Sequence, residues 1–267
     1  VARRARELED MILAEGADTV GAFIGEPVLG TGGIIPPPEG YWQAIQEVLR
    51  KYDVLLIADE VVTGFGRTGA MFGCGKYDIQ PDLITIAKGL TSAYVPLSAS
   101  IISRRVYEVM ETAADTLGAF SHGYTYSGHP LGAAAAMATL DIVEQEDLPG
   151  NALRTGDHFQ SKLKEAFADH PLVGEVRGVG LLGAVEFVAD RERKERFDPS
   201  LKVGGRVSAA ALQEGLIARA MPHGDILGFS PPLVITAAEV DEMIARARRA
   251  LDKVTDDLVR EGKWKAA

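Results

Sequence analysis

The sequence predicts an α/β fold, a mostly parallel sheet flanked by helices, with a smaller α+β domain at the C-terminal end. Two short runs, Val54-Leu55-Leu56-Ile57-Ala58 and Leu83-Ile84-Thr85-Ile86-Ala87, are apolar without alternation, as strands buried on both faces of a parallel sheet are. Each run stops on charge, Asp59-Glu60 after the first and Lys88 after the second. In open α/β sheets ligands bind beyond the carboxyl ends of the strands, so these residues face one crevice. The length, 267 residues, exceeds the usual single core. The breaker pair Pro149-Gly150 then divides a larger domain (1–149, with a linking helix at about 130–146) from a smaller one (150–267).

In chain order, Ala5, Leu8, Met11 and Ile12 form one helical stripe that Gly16 ends. Val20 to Ile24 reads as a short buried strand closed by Gly25-Glu26-Pro27. A loop containing Gly30, Gly32 and Gly33 follows. Pro36-Pro37-Pro38 precedes a helix with Trp42, Ile45, Val48 and Leu49 on one face. After the Asp59 strand comes the polar loop Thr63 to Gly69, then the strand ending at Lys88. Leu97 to Ile102 is a further strand, Phe120 to Pro130 a loop, and Pro130 opens the linking helix. Beyond Pro149-Gly150, a helix carries Leu153, Phe159, Leu163, Ala166 and Phe167. Strands over 173–177 and 181–188, a charged loop over 190–202 and a helix over 203–214 come next. Thr236-Ala237-Ala238-Glu239 has the spacing of a capping box, opening a helix lined by Val240, Met243, Ile244, Ala247, Leu251 and Val254.

Composition narrows the function. With 46% hydrophobic and 25% charged residues the chain reads as a globular enzyme. Its net charge of −10, with no basic face, argues against nucleic acid as a partner. The one cysteine, Cys74, permits no internal disulfide and fits a reducing, cytoplasmic setting. The longest weakly polar stretch, Leu131 to Leu140, is too short to span a membrane. The chain opens on Val1-Ala2-Arg3-Arg4 without methionine, so further residues are expected upstream.

Two motifs point elsewhere and fail on context. Gly178-Val179-Gly180-Leu181-Leu182-Gly183 has dinucleotide-loop spacing, but a strand-like segment follows where a helix is required, so a bare turn is expected. Leu55 to Glu60 resembles the magnesium-binding strand of P-loop ATPases, yet no upstream phosphate loop is present. His122, His129, His158, His170 and His223 lack metal-ligand spacing, and no metal is expected. There is no Gly-x-Ser-x-Gly elbow.

A strand-end lysine reads first as a surface cation or as a structural partner of Asp59. Three features turn the reading toward chemistry: the apolar run before Lys88, which buries its stem; Gly89, which permits close approach of a ligand; and the glycine-rich loops beside Asp59 and Glu26. A buried lysine loses proton affinity and becomes a nucleophile toward a carbonyl. A buried aspartate keeps a pyridine nitrogen protonated, which makes the ring an electron sink. Pyridoxal phosphate requires both.

The run Asp59 to Gly69, the segment Ala87-Lys88-Gly89-Leu90 and Gly25-Glu26-Pro27 resemble the class III aminotransferases, pyridoxal-phosphate enzymes of fold type I. Lys88 to Leu97 and Gly123 to Pro130 are most similar to the ω-transaminases that take amines or ω-amino acids with pyruvate. The resemblance implies a ping-pong reaction with a Schiff base on Lys88, Asp59 on the ring nitrogen, Val61 against one ring face and Glu26 near the cofactor. It implies a homodimer in which Thr125, preceded by Tyr124, reaches the neighbouring subunit's cofactor phosphate. Thr31 matches a position lining the small substrate pocket, and Arg219, ahead of Ser230-Pro231-Pro232-Leu233, resembles an arginine that binds a substrate carboxylate. Family members are longer, so the phosphate cup and the second ring-face aromatic are expected upstream of Val1. Ornithine, γ-aminobutyrate or taurine transamination, and an inactive fragment serving as a dimerisation or binding module, stand as alternatives.

Overall fold

The computed structural model describes residues 1–265. The chain forms two compact units. The first comprises residues 1–27, 37–66 and 70–148; the second comprises 28–36, 67–69 and 149–267. Two short segments of the first half, Val28–Pro36 and Arg67–Gly69, belong to the second unit.

The first unit is built on a four-stranded sheet in chain order: β1 (Ala22–Gly25), β2 (Leu55–Asp59), β3 (Leu83–Ile86) and β4 (Ala99–Ile102). β1 to β3 are parallel and β4 pairs antiparallel with β3. The helices are α1 (Ala2–Glu15), α2 (Tyr41–Lys51), the short α3 (Gly73–Tyr77), α4 (Arg104–Leu117) and α5 (Pro130–Gln145). Ile12 of α1 and Trp42, Ile45 and Leu49 of α2 pack on Leu56 and Ala58 of β2. Burial of such side chains contributes about 1.5–3 kcal/mol each. α5 starts at Pro130, where a missing N–H is harmless, and His129 Nδ1 accepts from Leu131 N at the cap.

The runs that suggested strands buried on both faces behave differently. β2 alternates, Leu56 and Ala58 buried but Leu55, Ile57 and Asp59 half-buried, and in β3 only Ile86 is buried. Parallel pairing is present without full cover on the second face. α4, absent from the sequence expectation, is capped by Ser103 and has no buried residue.

The second unit has an antiparallel sheet in the order β5 (Val173–Val179), β6 (Leu182–Phe187), β8 (Ile226–Phe229), β7 (Arg219–Ala220). Its helices are α6 (Leu148–Phe167), α7 (Val203–Gln213) and α8 (Ala237–Arg260). Phe159, Leu163, Phe167, Val185, Phe187, Leu227, Phe229, Val207 and the apolar face of α8 share one core. The capping box is formed, Thr236 Oγ1 accepting from Glu239 N while the Glu239 carboxyl accepts from Thr236 N. The glycine-rich 178–183 segment is a hairpin turn: Gly178 pairs with Gly183, and Gly180 takes φ +54°. Pro149-Gly150 does not break the chain, because both residues lie in the first turn of α6, where proline needs no helical hydrogen bond. Among the described residues no helix is long and apolar enough to cross a membrane.

His170 couples this core to pH. Its ring is 4% exposed, and Nδ1 accepts from Leu172 N at 3.2 Å. Burial holds its pKa below the ordinary 6.5; the Arg248 cation adds to this and Asp252 opposes it. The unfolded imidazole binds its proton more tightly, so this contribution to stability is complete above pH 6.5 and declines below it. Lowering the pH from about 7.5 to about 5.5 should therefore reduce the thermal midpoint more in the wild type than in His170→Asn, in matched calorimetric scans. Parallel profiles would remove the role given to His170.

Candidate active site

The parallel register gathers three strand ends. Gly25 pairs with Ala58, so Glu26 and Asp59 each stand one residue further along their strands. Asp59 pairs with Thr85, and Lys88 follows β3 after Ala87. This is the carboxyl edge of the sheet, where open α/β folds place ligands.

Asp59 is held by one oxygen. Oδ1 accepts from Val61 N at 3.1 Å and from Thr85 Oγ1 at 3.3 Å, while Oδ2 has no protein donor among the described residues. The carboxyl is thus oriented and keeps an acceptor for a ligand N–H. Glu26 and Val61 are half-buried beside it.

Lys88 begins a 3-10 turn, Lys88–Thr91, with φ +43°, the left-handed region that is unfavourable for a side chain. The turn is anchored from its far end. Leu90 packs with Phe65, Ile86 and Ala136 of α5, and Thr91 Oγ1 donates to Val95 O at 2.6 Å. Lys88 itself is exposed, contrary to the buried stem expected from the preceding run, because the strand ends at Ile86. Its side chain makes no hydrogen bond or ion pair among the described residues and does not salt-bridge Asp59. Gly89 also has another reason than ligand approach: a Cβ there would lie 3.0–3.3 Å from the Phe65 ring.

Glu60 is the residue whose role the sequence left unassigned. It is fully buried and accepts from Thr63 Oγ1 at 2.5 Å, Gly73 N at 2.9 Å and Cys74 N at 2.6 Å. One carboxyl therefore closes the loop after Asp59 and satisfies free amides at the start of α3. Its only signal was a second acid directly after the strand. Burial and the neighbouring Glu60 push the Cys74 thiol well above its usual pKa, which leaves it protonated and inert.

The other predicted residues divide between the units. Tyr124 and Thr125 lie in an exposed turn closed by Tyr124 N donating to Ser127 Oγ at 3.0 Å. Thr31 is exposed in the Val28–Pro36 loop, and Arg219 is exposed on the edge strand β7, both in the second unit. Arg67, also in that unit, donates to Pro231 O, and burial lowers its pKa to about 10. No group of three or more His, Cys, Asp or Glu among the described residues could hold a metal ion.

Removing the Glu60 carboxyl strands three buried donors, each loss worth about 1–3 kcal/mol. Glu60→Ala should therefore lower unfolding free energy by at least about 3 kcal/mol in urea titrations, with Glu60→Gln intermediate. An unchanged midpoint for the alanine variant would contradict the role.

Residues 1–251 match the family model "Aminotransferase class-III". The diaminobutyrate–2-oxoglutarate transaminase of Halomonas elongata is 65% identical over 98% of this chain and 56% of its own length. Among solved structures, a transaminase from directed evolution by ancestral reconstruction superposes with TM-score 0.94 at 68% identity, over 95% of this chain and 56% of that one. The ω-transaminase of Pseudomonas jessenii in complex with PMP gives 0.93 at 47% identity, over 97% and 56%. The chain thus spans little more than half the length of the proteins it matches.

Proposed function

The chain belongs to the class-III aminotransferases, and from that premise we propose that the protein transfers an amino group from an amine or ω-amino acid to pyruvate, using pyridoxal 5′-phosphate in two ping-pong half-reactions. The observation that carries the proposal is the carboxyl edge of the first sheet, where an oriented Asp59 with Oδ2 available ends β2 and Lys88, its side chain without a partner among the described residues, follows β3. That donor set fits the cofactor: an acceptor for a protonated ring nitrogen and a free amine for an aldehyde. When bound, the cofactor supplies the aldehyde and a ring that withdraws electron density.

The chain's own residues supply the rest. Asp59 Oδ2 would accept the ring N–H of the cofactor, while Val61 N and Thr85 Oγ1 keep Oδ1 from turning away. Lys88 Nζ would hold the cofactor at its aldehyde and, when free of it, would serve as the base and acid for the proton on the substrate carbon. Val61 covers one ring face, Glu26 supports the polar surroundings, and Thr31 and Arg219 recognise the substrate. A second copy of the protein covers the exposed turn, Thr125 and Tyr124 reaching its cofactor phosphate. Tyr94, Leu117, Phe120, Tyr124, Tyr126 and Leu131, each at least 62% exposed, support an apolar contact there. The boundary near Pro149 and a cytoplasmic setting belong to the same proposal.

A second reading has its own support. The relative from Halomonas elongata is named for diaminobutyrate and 2-oxoglutarate, which favours a dicarboxylic 2-oxo acid as acceptor. A donor panel run with pyruvate against 2-oxoglutarate separates the two readings.

Lys88→Ala should abolish the visible cofactor band, its fixation to the chain by borohydride and both half-reactions; a fully active variant would sink the assignment. Asp59→Asn should keep the fold and lower turnover by about 10²-fold or more, read in single half-reactions.

A further inference from the structure

Arg177 is buried, 9% exposed, and every arm of its guanidinium is used. From β5, Nε donates to Gly33 O at 3.0 Å and Ile34 O at 3.2 Å, and Nη2 donates to Gly33 O at 2.8 Å. Nη1 is held on the sheet side by Glu175 at 2.7 Å and Glu186 at 2.5 Å. The two carboxyls fix the fork, and the fork grips two consecutive carbonyls of the Val28–Pro36 loop.

Val28 and Ile34 of that loop are buried. Its stem is a bridge between Leu29 and Ile35, and Gly33 N and Ile34 N both donate to Gly30 O. The tip, Gly30-Thr31-Gly32, carries the exposed Thr31. Gly33 at φ +125° admits no side chain: a Cβ there would stand 3.0 Å from Arg177 Nη2 and 3.0 Å from Ile226 Cδ1. Ile34 Cδ1 lies 3.4 Å from where a Cβ on Gly228 would be, and Gly228 is the pairing partner of Arg219.

We propose that Arg177 is a positioning residue for substrate recognition, its guanidinium setting the Thr31 loop against the sheet that carries Arg219. The proposal rests on the transamination reading above, because it is that reading which gives Thr31 and Arg219 their substrate. Arg177 touches no reacting group. Lysine at this position keeps a charge for Glu175 and Glu186 but has no planar fork to span Gly33 O and Ile34 O.

The test uses the full-length holoenzyme. In Arg177→Lys the KM for the keto acid should rise about tenfold or more, with kcat changed by less than about twofold, as expected when a positioning contact is lost. The visible cofactor band and borohydride fixation should be unchanged. Amides of Gly33 and Ile34 should exchange hydrogen faster than in the wild type. Gly33→Ala breaks the same link from the loop side and should raise KM likewise, which keeps the test open if the arginine variant fails to fold. A wild-type protein with no borohydride-fixable band overturns the transamination reading and this proposal with it. A wild-type band and activity, with KM unchanged in both variants or with kcat and the band lost together, overturn this proposal alone.

Discussion

One hydrogen bond across two parallel strands, from Thr85 Oγ1 to Asp59 Oδ1, is the constraint on which the candidate site depends. It exists only in the register that pairs Asp59 with Thr85. A slip by one residue would turn Asp59 to the other face of the sheet. Consecutive side chains at a strand end also point to opposite sides, so the same register that presents Asp59 to the edge drives Glu60 beneath it. The two acids therefore have separate tasks. Asp59 keeps one carboxyl oxygen without a protein donor among the described residues at the sheet edge, and Glu60 ties the loop that Asp59 begins to α3.

Much of this frame was legible in the residues because it is local. The apolar runs, the charge that stops them, the capping box at Thr236 and the six residues lining α8 all follow from period and residue type. What escaped depends on partners remote in sequence. β8 is four residues with Gly228 inside, and β7 is two, too short to show alternation. α4 did carry Val106, Tyr107 and Val109, but no residue of it is buried, so its stripe does not mark a core. Lys88 was expected to be buried by analogy with its run, whereas the strand ends two residues earlier, at Ile86, and Lys88 starts a turn with φ +43°. Gly89 invited a ligand in the sequence and meets Phe65 in the fold. Arg177 gave no sign of its grip on the Val28–Pro36 loop, since its partners there are carbonyl oxygens, which the sequence does not distinguish.

The second unit takes two short segments from the first half of the chain, and it holds the Arg67–Gly69 one through backbone packing where side chains are missing. Arg67 O accepts from Leu181 N at 3.1 Å. A Cβ on Gly180 would stand 2.7 Å from Arg67 O, and one on Gly156 would stand 2.8 Å from Gly180. α6, the β5–β6 turn and the Arg67–Gly69 segment thus meet main chain to main chain. Glycines at 156 and 180 are what the sequence offers of this junction, and a glycine alone does not name what approaches it.

The burial of Cys74 has a practical side. It is the sole thiol in the 267-residue chain, it sits beneath the Glu60 tie, and it stays protonated. Maleimide and similar probes react with thiolates at the surface, so the chain is silent toward them as it stands. A cysteine placed at any exposed position, the Thr31 tip included, would then take the label by itself, and a fluorophore could report the movement of one loop without first stripping the background.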